Sequence, residues 1–75
     1  MPKLPRLTPK NALSALKRAG FYIHHQTGSH VNLRHNFKPY FHIVIPLHNR
    51  DLAPKTLKSI IAQSGLTAEE FKKLV

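Results

Sequence analysis

The chain has no cysteine and no tryptophan, and only three of its 75 residues are acidic. The missing cysteine excludes disulfide staples, thiolate nucleophiles and thiolate-bound zinc, and it fits a reducing compartment. The three carboxylates, Asp51, Glu69 and Glu70, are too few for a two-metal nuclease, which needs several acids converging on hard cations. No apolar run approaches the roughly 20 residues of a bilayer span, and Met1-Pro2-Lys3-Leu4-Pro5-Arg6-Leu7 lacks the apolar centre of a signal peptide. A cytoplasmic location without membrane contact is therefore expected. One domain, residues 1–75, is also expected, and at this size only about 60% of the unfolded surface can be buried, so intrinsic stability is modest.

What the sequence does have is positive charge. Twelve Lys and Arg against three acids give a net charge of +9, spread along the whole chain instead of gathered in a tail. A small folded domain with this balance points to a polyanion: nucleic acid, or an acidic protein that mimics or guards against it. Six histidines accompany the charge. If the substrate is RNA, histidine must carry most of the proton transfer.

Residues 1–7 hold two prolines and read as an extended lead-in. Thr8-Pro9 then opens a helix, with a hydroxyl at the N-cap and proline at the first helical position. Ala12, Leu13, Leu16 and Ala19 recur at helical spacing and Gly20 supplies the stop, so the first helix is expected over Pro9 to Ala19. From Phe21 the period changes to two. Two strands flank a turn at Thr27-Gly28, and a third run from Tyr40 to Leu47 follows a looser turn at Asn36-Phe37-Lys38-Pro39. After the polar loop His48-Asn49-Arg50-Asp51, Ala53-Pro54 opens a second helix with Leu57, Ile60 and Ile61 as its apolar stripe. Thr67-Ala68-Glu69-Glu70 is a capping box for a short third helix, roughly Ala68 to Leu74, with Leu66 placed to staple against Phe71. The order α-β-β-β-α-α predicts an α+β fold: a three-stranded antiparallel sheet with its helices on one face.

Strand parity then sorts the residues. With Phe21, Ile23, Val31, Leu33, Phe41, Ile43 and Ile45 toward the helices, the other face is expected to collect Tyr22, His24, Gln26, His30, Asn32, Arg34, Tyr40 and His42. Solvation alone explains polar residues there, but it does not select histidine and tyrosine over Lys, Glu and Thr. His30 is singled out by its place just beyond the tight turn, at the start of a strand.

Several stretches resemble the HicA (YcfA-like) toxins: Gly20-Phe21, the step Gly28-Ser29-His30, Val44-Ile45-Pro46-Leu47-His48, Leu52 with Lys55-Thr56-Leu57-Lys58-Ser59-Ile60-Ile61, and Ser64-Gly65-Leu66 with Glu70-Phe71. The resemblance runs from Thr8 onward. It implies a double-stranded-RNA-binding-domain-like fold and the toxin half of a type II toxin-antitoxin pair, acting as a ribosome-independent mRNA interferase. The family's single functional histidine falls on His30. A HicB-like antitoxin partner is implied, covering the active site and linking the pair to DNA only indirectly, through its own DNA-binding part. Phe21 stands where many relatives have tryptophan, and Lys55 where they often have glycine.

RNA can be cut without a metal because its own 2′-hydroxyl is the nucleophile; a base, an acid and a positive group suffice. Histidine, with an unperturbed pKa of about 6.5, suits the base or the acid. His30 is the candidate catalytic residue, and no cofactor is expected. Ser29, Asn32 and Arg34 are candidate RNA-binding residues beside it, with Arg34 placed by parity for the scissile phosphate. Lys55 and Lys58, on the wet side of the second helix, are expected to track phosphates. His24 or His42 could be a second proton carrier, and His48 could cap the loop that follows it. A zinc site is not expected, since no histidine pair has helical ligand spacing and no carboxylate lies close by to orient a ring. The alternative is a non-catalytic double-stranded-RNA-binding module of the same fold; against it, Ala53-Pro54-Lys55 offers a single lysine at the start of the second helix. A helix-turn-helix DNA reader is more distant, because strands occupy the middle of the chain.

Overall fold

Helix α1 (Pro9–Arg18) starts where the hydroxyl and the proline predict: Thr8 Oγ1 accepts a hydrogen bond from the Asn11 amide at 3.2 Å, and Lys17 and Arg18 lie at the negative end of the helix dipole. Residues 6–48 and 50–75 are described in the computed structural model, so most of the expected lead-in and Asn49 fall outside it. Ala12, Ala15 and Leu16 turn one face of α1 inward and are buried.

Strands β1 (Phe21–Thr27), β2 (His30–His35) and β3 (His42–Pro46) form one antiparallel sheet in the order β1-β2-β3. Thr27 pairs with His30 across a two-residue loop whose first residue, Gly28, has φ +57°, a conformation that tight hairpins need and side chains resist. The third strand is shorter than expected. Tyr40 lies in the turn before it, 74% exposed, because the Lys38 carbonyl accepts from the Phe41 amide and closes the turn there.

Val31, Leu33, Ile43 and Ile45 project from one sheet face into a core completed by α1, by Leu57, Ile60 and Ile61 of α2 (Pro54–Ser64), and by Phe71 of α3 (Ala68–Lys72). All the helices thus cover the same face, giving the expected α+β arrangement, which is compatible with a double-stranded-RNA-binding-domain-like fold. Both sides of the capping box at α3 are made, Glu70 N to Thr67 Oγ1 at 3.1 Å and Thr67 N to Glu70 Oε1 at 2.9 Å. Gln63 of α2 reaches back to the edge strand, its Oε1 accepting from Val44 N at 3.4 Å.

Strand β1 departs from strict alternation. Ile23 pairs with Leu33 but His25 pairs with Asn32, so His24 is an extra residue and β1 carries a β-bulge. The bulge reverses the expected faces beyond it. His25 joins the side of Asn32, while Gln26, expected on the open face, pairs with Val31 and turns its amide to the Gly28 carbonyl at 3.1 Å. Ile23, expected in the core, stays 42% exposed at this edge strand.

Candidate functional site

The sheet face away from the helices is organised by register into three rows. Tyr22, Arg34 and His42 form the row farthest from the hairpin; His25, Asn32 and Val44 the middle; Thr27, His30 and Pro46 the row at the hairpin. None of the three strands contains an acid, and five of the six histidines lie in them. Such a surface can bind an anion and exchange protons with it.

His30 stands at the centre of the hairpin row, exposed, between the short side chains of Thr27 and Pro46. The ladder below it is closed: the Ser29 carbonyl accepts from the Leu47 amide at 2.6 Å, which fixes the backbone that carries the ring. The other five histidine rings all have partners. His24 and His25 meet through their Nδ1 atoms at 2.9 Å, His35 binds the Ala19 carbonyl, His42 Nε2 lies 3.0 Å from Asn32 Oδ1, and His48 Nδ1 accepts from the Arg50 amide at 3.2 Å. Among the described residues, His30 alone has a ring with no hydrogen-bond partner. Its backbone is paired on both sides while its imidazole stays open.

The other expected site residues divide. Ser29 is exposed in the hairpin loop beside His30, and Asn32 sits in the next row with its amide oxygen held by His42. Arg34 shares the face but lies four residues along β2, roughly 13 Å from His30 at strand spacing, and its Nη1 donates to the Pro39 carbonyl at 3.1 Å. The structure therefore does not bring Arg34 and His30 together at one point of the face. Lys55 and Lys58 are exposed on α2, in the layer behind the sheet, and are not brought to His30. His48 caps its loop as expected. No three His, Cys, Asp or Glu side chains converge in a metal-binding geometry among the described residues. Residue-by-residue alternation missed His25, which the bulge brings to the open face.

The sequence matches the family model described as HicA toxin of bacterial toxin-antitoxin over residues 9–66. The chain belongs to the HicA toxin family. As a HicA toxin it is one half of a toxin-antitoxin pair, and the matched span holds α1, the whole sheet and α2, and with them His30 and both α2 lysines. Phe71, which the HicA match leaves out, nevertheless completes the core. No curated protein matches the sequence closely enough to serve as a relative. No helix among the described residues is long and apolar enough to cross a membrane.

Proposed function

We propose that this HicA toxin is a metal-independent endoribonuclease that cleaves mRNA, with His30 in general acid-base catalysis, and that a HicB-like antitoxin neutralises it by covering the open sheet face. The observation that carries the reading is the His30 ring itself, exposed and unpartnered among the described residues, on a strand paired on both sides. A histidine used structurally spends its nitrogens on the fold; this one keeps both for a substrate.

RNA supplies its own nucleophile, so the protein needs only to take a proton from the 2′-hydroxyl, steady the phosphorane and protonate the leaving 5′-oxygen. The expected products are a 2′,3′-cyclic phosphate and a 5′-hydroxyl. Ser29 and Asn32 flank His30 for hydrogen bonds to the sugar or phosphate. Arg34 on the sheet and Lys55 and Lys58 on α2 hold flanking phosphates, giving binding that weakens as salt rises. A net charge of +9 favours an acidic antitoxin surface, whose binding stabilises a small domain by mass action.

The test is cleavage of a long single-stranded RNA by the purified chain in EDTA, beside His30→Ala. Cutting that survives the chelator and is lost with alanine supports the reading. Salt-sensitive RNA binding with no cutting by either protein returns the chain to a non-catalytic RNA-binding module.

A further inference from the structure

We infer that His25 is the second proton-transfer group of this site, acting with His30 on a single RNA phosphodiester. The inference rests on the ribonuclease reading and extends it beyond the one histidine that the family resemblance implies.

The bulge is what makes the pair. Consecutive residues of a regular strand point to opposite faces, and their rings cannot meet. The His24 and His25 rings do meet, with centroids 5.1 Å apart and planes at 75°, because the extra residue at the bulge turns both to one side. The pairing of His25 with Asn32 identifies that side as the open face. In register terms His25 is then the diagonal neighbour of His30, and diagonal partners stand about 7–8 Å apart, within reach of long side chains. In-line attack sets the entering and leaving oxygens on opposite sides of phosphorus. Two imidazole nitrogens, each within hydrogen-bond reach of one oxygen, therefore stand roughly 6–8 Å apart.

The other histidines fit less well. His42 is in the row of Arg34, roughly 13 Å along the sheet from the row of His30. His35 has both nitrogens bound into the fold. His48 follows the end of β3 and turns its Nδ1 to the Arg50 amide. His25 is held differently: its Nδ1 lies 2.9 Å from His24 Nδ1, a contact that orients the ring and leaves Nε2 for substrate. The titratable or charged groups around it on this face are Tyr22, His24, His30, Arg34 and His42, with no carboxylate from any strand.

In the step, one neutral imidazole takes the 2′-hydroxyl proton as the 2′-oxygen bonds to phosphorus. The bond from phosphorus to the 5′-oxygen breaks, and the other imidazole, protonated, gives its proton to that oxygen. The two rings finish with exchanged protonation states, which proton exchange with water resets. No water or other reactant is consumed.

The experiment measures single-turnover cleavage of a mixed-sequence single-stranded RNA oligonucleotide in EDTA from about pH 5 to 9, with RNA affinity and thermal unfolding in parallel. It compares the full chain with His30→Ala, His25→Ala, His24→Ala and His48→Ala. Wild type should give a bell-shaped profile and His30→Ala no cleavage. His25→Ala should slow cleavage by roughly 10²-fold or more and remove one limb of the bell, with affinity and unfolding unchanged. His24→Ala should lose only a few-fold and keep both limbs. An intact bell in His25→Ala, a loss matched by weaker RNA binding, or a missing limb in His48→Ala instead would overturn the assignment while leaving the role of His30 standing. A wild type that binds RNA without cutting it overturns both.

Discussion

The central strand begins with His30 and ends with His35, and the fold treats these two imidazoles in opposite ways. His35 Nε2 lies 3.0 Å from the Ala19 carbonyl, and its Nδ1 accepts from the Phe37 and Lys38 amides, each at 3.1 Å. Its bonds therefore require the tautomer with hydrogen on Nε2 and the lone pair on Nδ1. Phe21 packs edge-on against the ring at a centroid distance of 4.8 Å, so His35 ties the end of α1 to the turn between β2 and β3. Five residues away, His30 has none of these ties. The difference shows that histidine content alone does not locate chemistry: a ring whose proton and lone pair both serve the backbone has nothing left for a substrate.

The comparison breaks most visibly if the two residues are exchanged in role. On the ribonuclease reading, His30→Ala lowers the cleavage rate by roughly 10²–10⁴-fold. Unfolding free energy should stay within about 0.5 kcal/mol, because an exposed side chain with no partner is removed. A large drop in stability would show that His30 is structural after all. His35→Ala should do the reverse, costing about 2–3 kcal/mol for three lost hydrogen bonds, or on the order of 10 °C in Tm. Below the melting range, cleavage should persist. A denaturant midpoint equal to wild type would dismiss the account of His35.

A finer test uses the glycines at the two ends. Gly20 has φ +100°, and a Cβ there would meet His35 Nε2 at 2.9 Å. Gly28, beside His30, has φ +57°, but a Cβ there would meet nothing within 4 Å. Gly28→Ala should therefore cost about 1–2 kcal/mol from backbone conformation alone. Gly20→Ala should cost more, because it also pushes His35 off the Ala19 carbonyl. Equal losses in urea unfolding would mean that the His35 contact contributes little.

Much of this was legible in the sequence: Thr8-Pro9 and Thr67 through Glu70 mark their helix starts by local chemistry, and Val31, Leu33, Ile43 and Ile45 mark the core face by period. The bulge was legible only by combining two signals. A two-residue hairpin loop pairs odd positions with even ones, yet the apolar residues of β1 and β2, Phe21, Ile23, Val31 and Leu33, all fall at odd positions. Both conditions hold only if one strand carries an extra residue, and His24 is that residue. Alternation taken strand by strand keeps His25 with the core and Gln26 on the open face, the reverse of the structure. The separation of Lys55 and Lys58 from His30 depends on which layer α2 occupies, and no local pattern carries that. Strand parity and the Gly28-Ser29-His30 step set His30 apart, but the structural role of His35 was not legible, since its partners, Ala19, Phe37 and Lys38, are assembled by the hairpin and the turn after it.

The smallest expected effect concerns an acid that the fold has claimed while leaving it in water. The Glu70 carboxyl accepts from the Thr67 amide and lies near Lys73, and the hydrogen bonds to Thr67 hold its pKa below the ordinary value of 4.5. A carboxylate with a lowered folded-state pKa contributes stability that is fully present above its unfolded value and is lost as pH falls through the folded one. Glu70→Gln keeps a side chain able to accept from the Thr67 amide but removes the charge. It should therefore be less stable than wild type near neutral pH, and the gap should close as pH falls from 4.5 through the lowered value. Urea midpoints for both chains at pH 7 and pH 3 check this. If the gap is the same at both values, the capping box stabilises α3 by its hydrogen bonds alone, and charge at Glu70 adds nothing to what the neutral amide achieves.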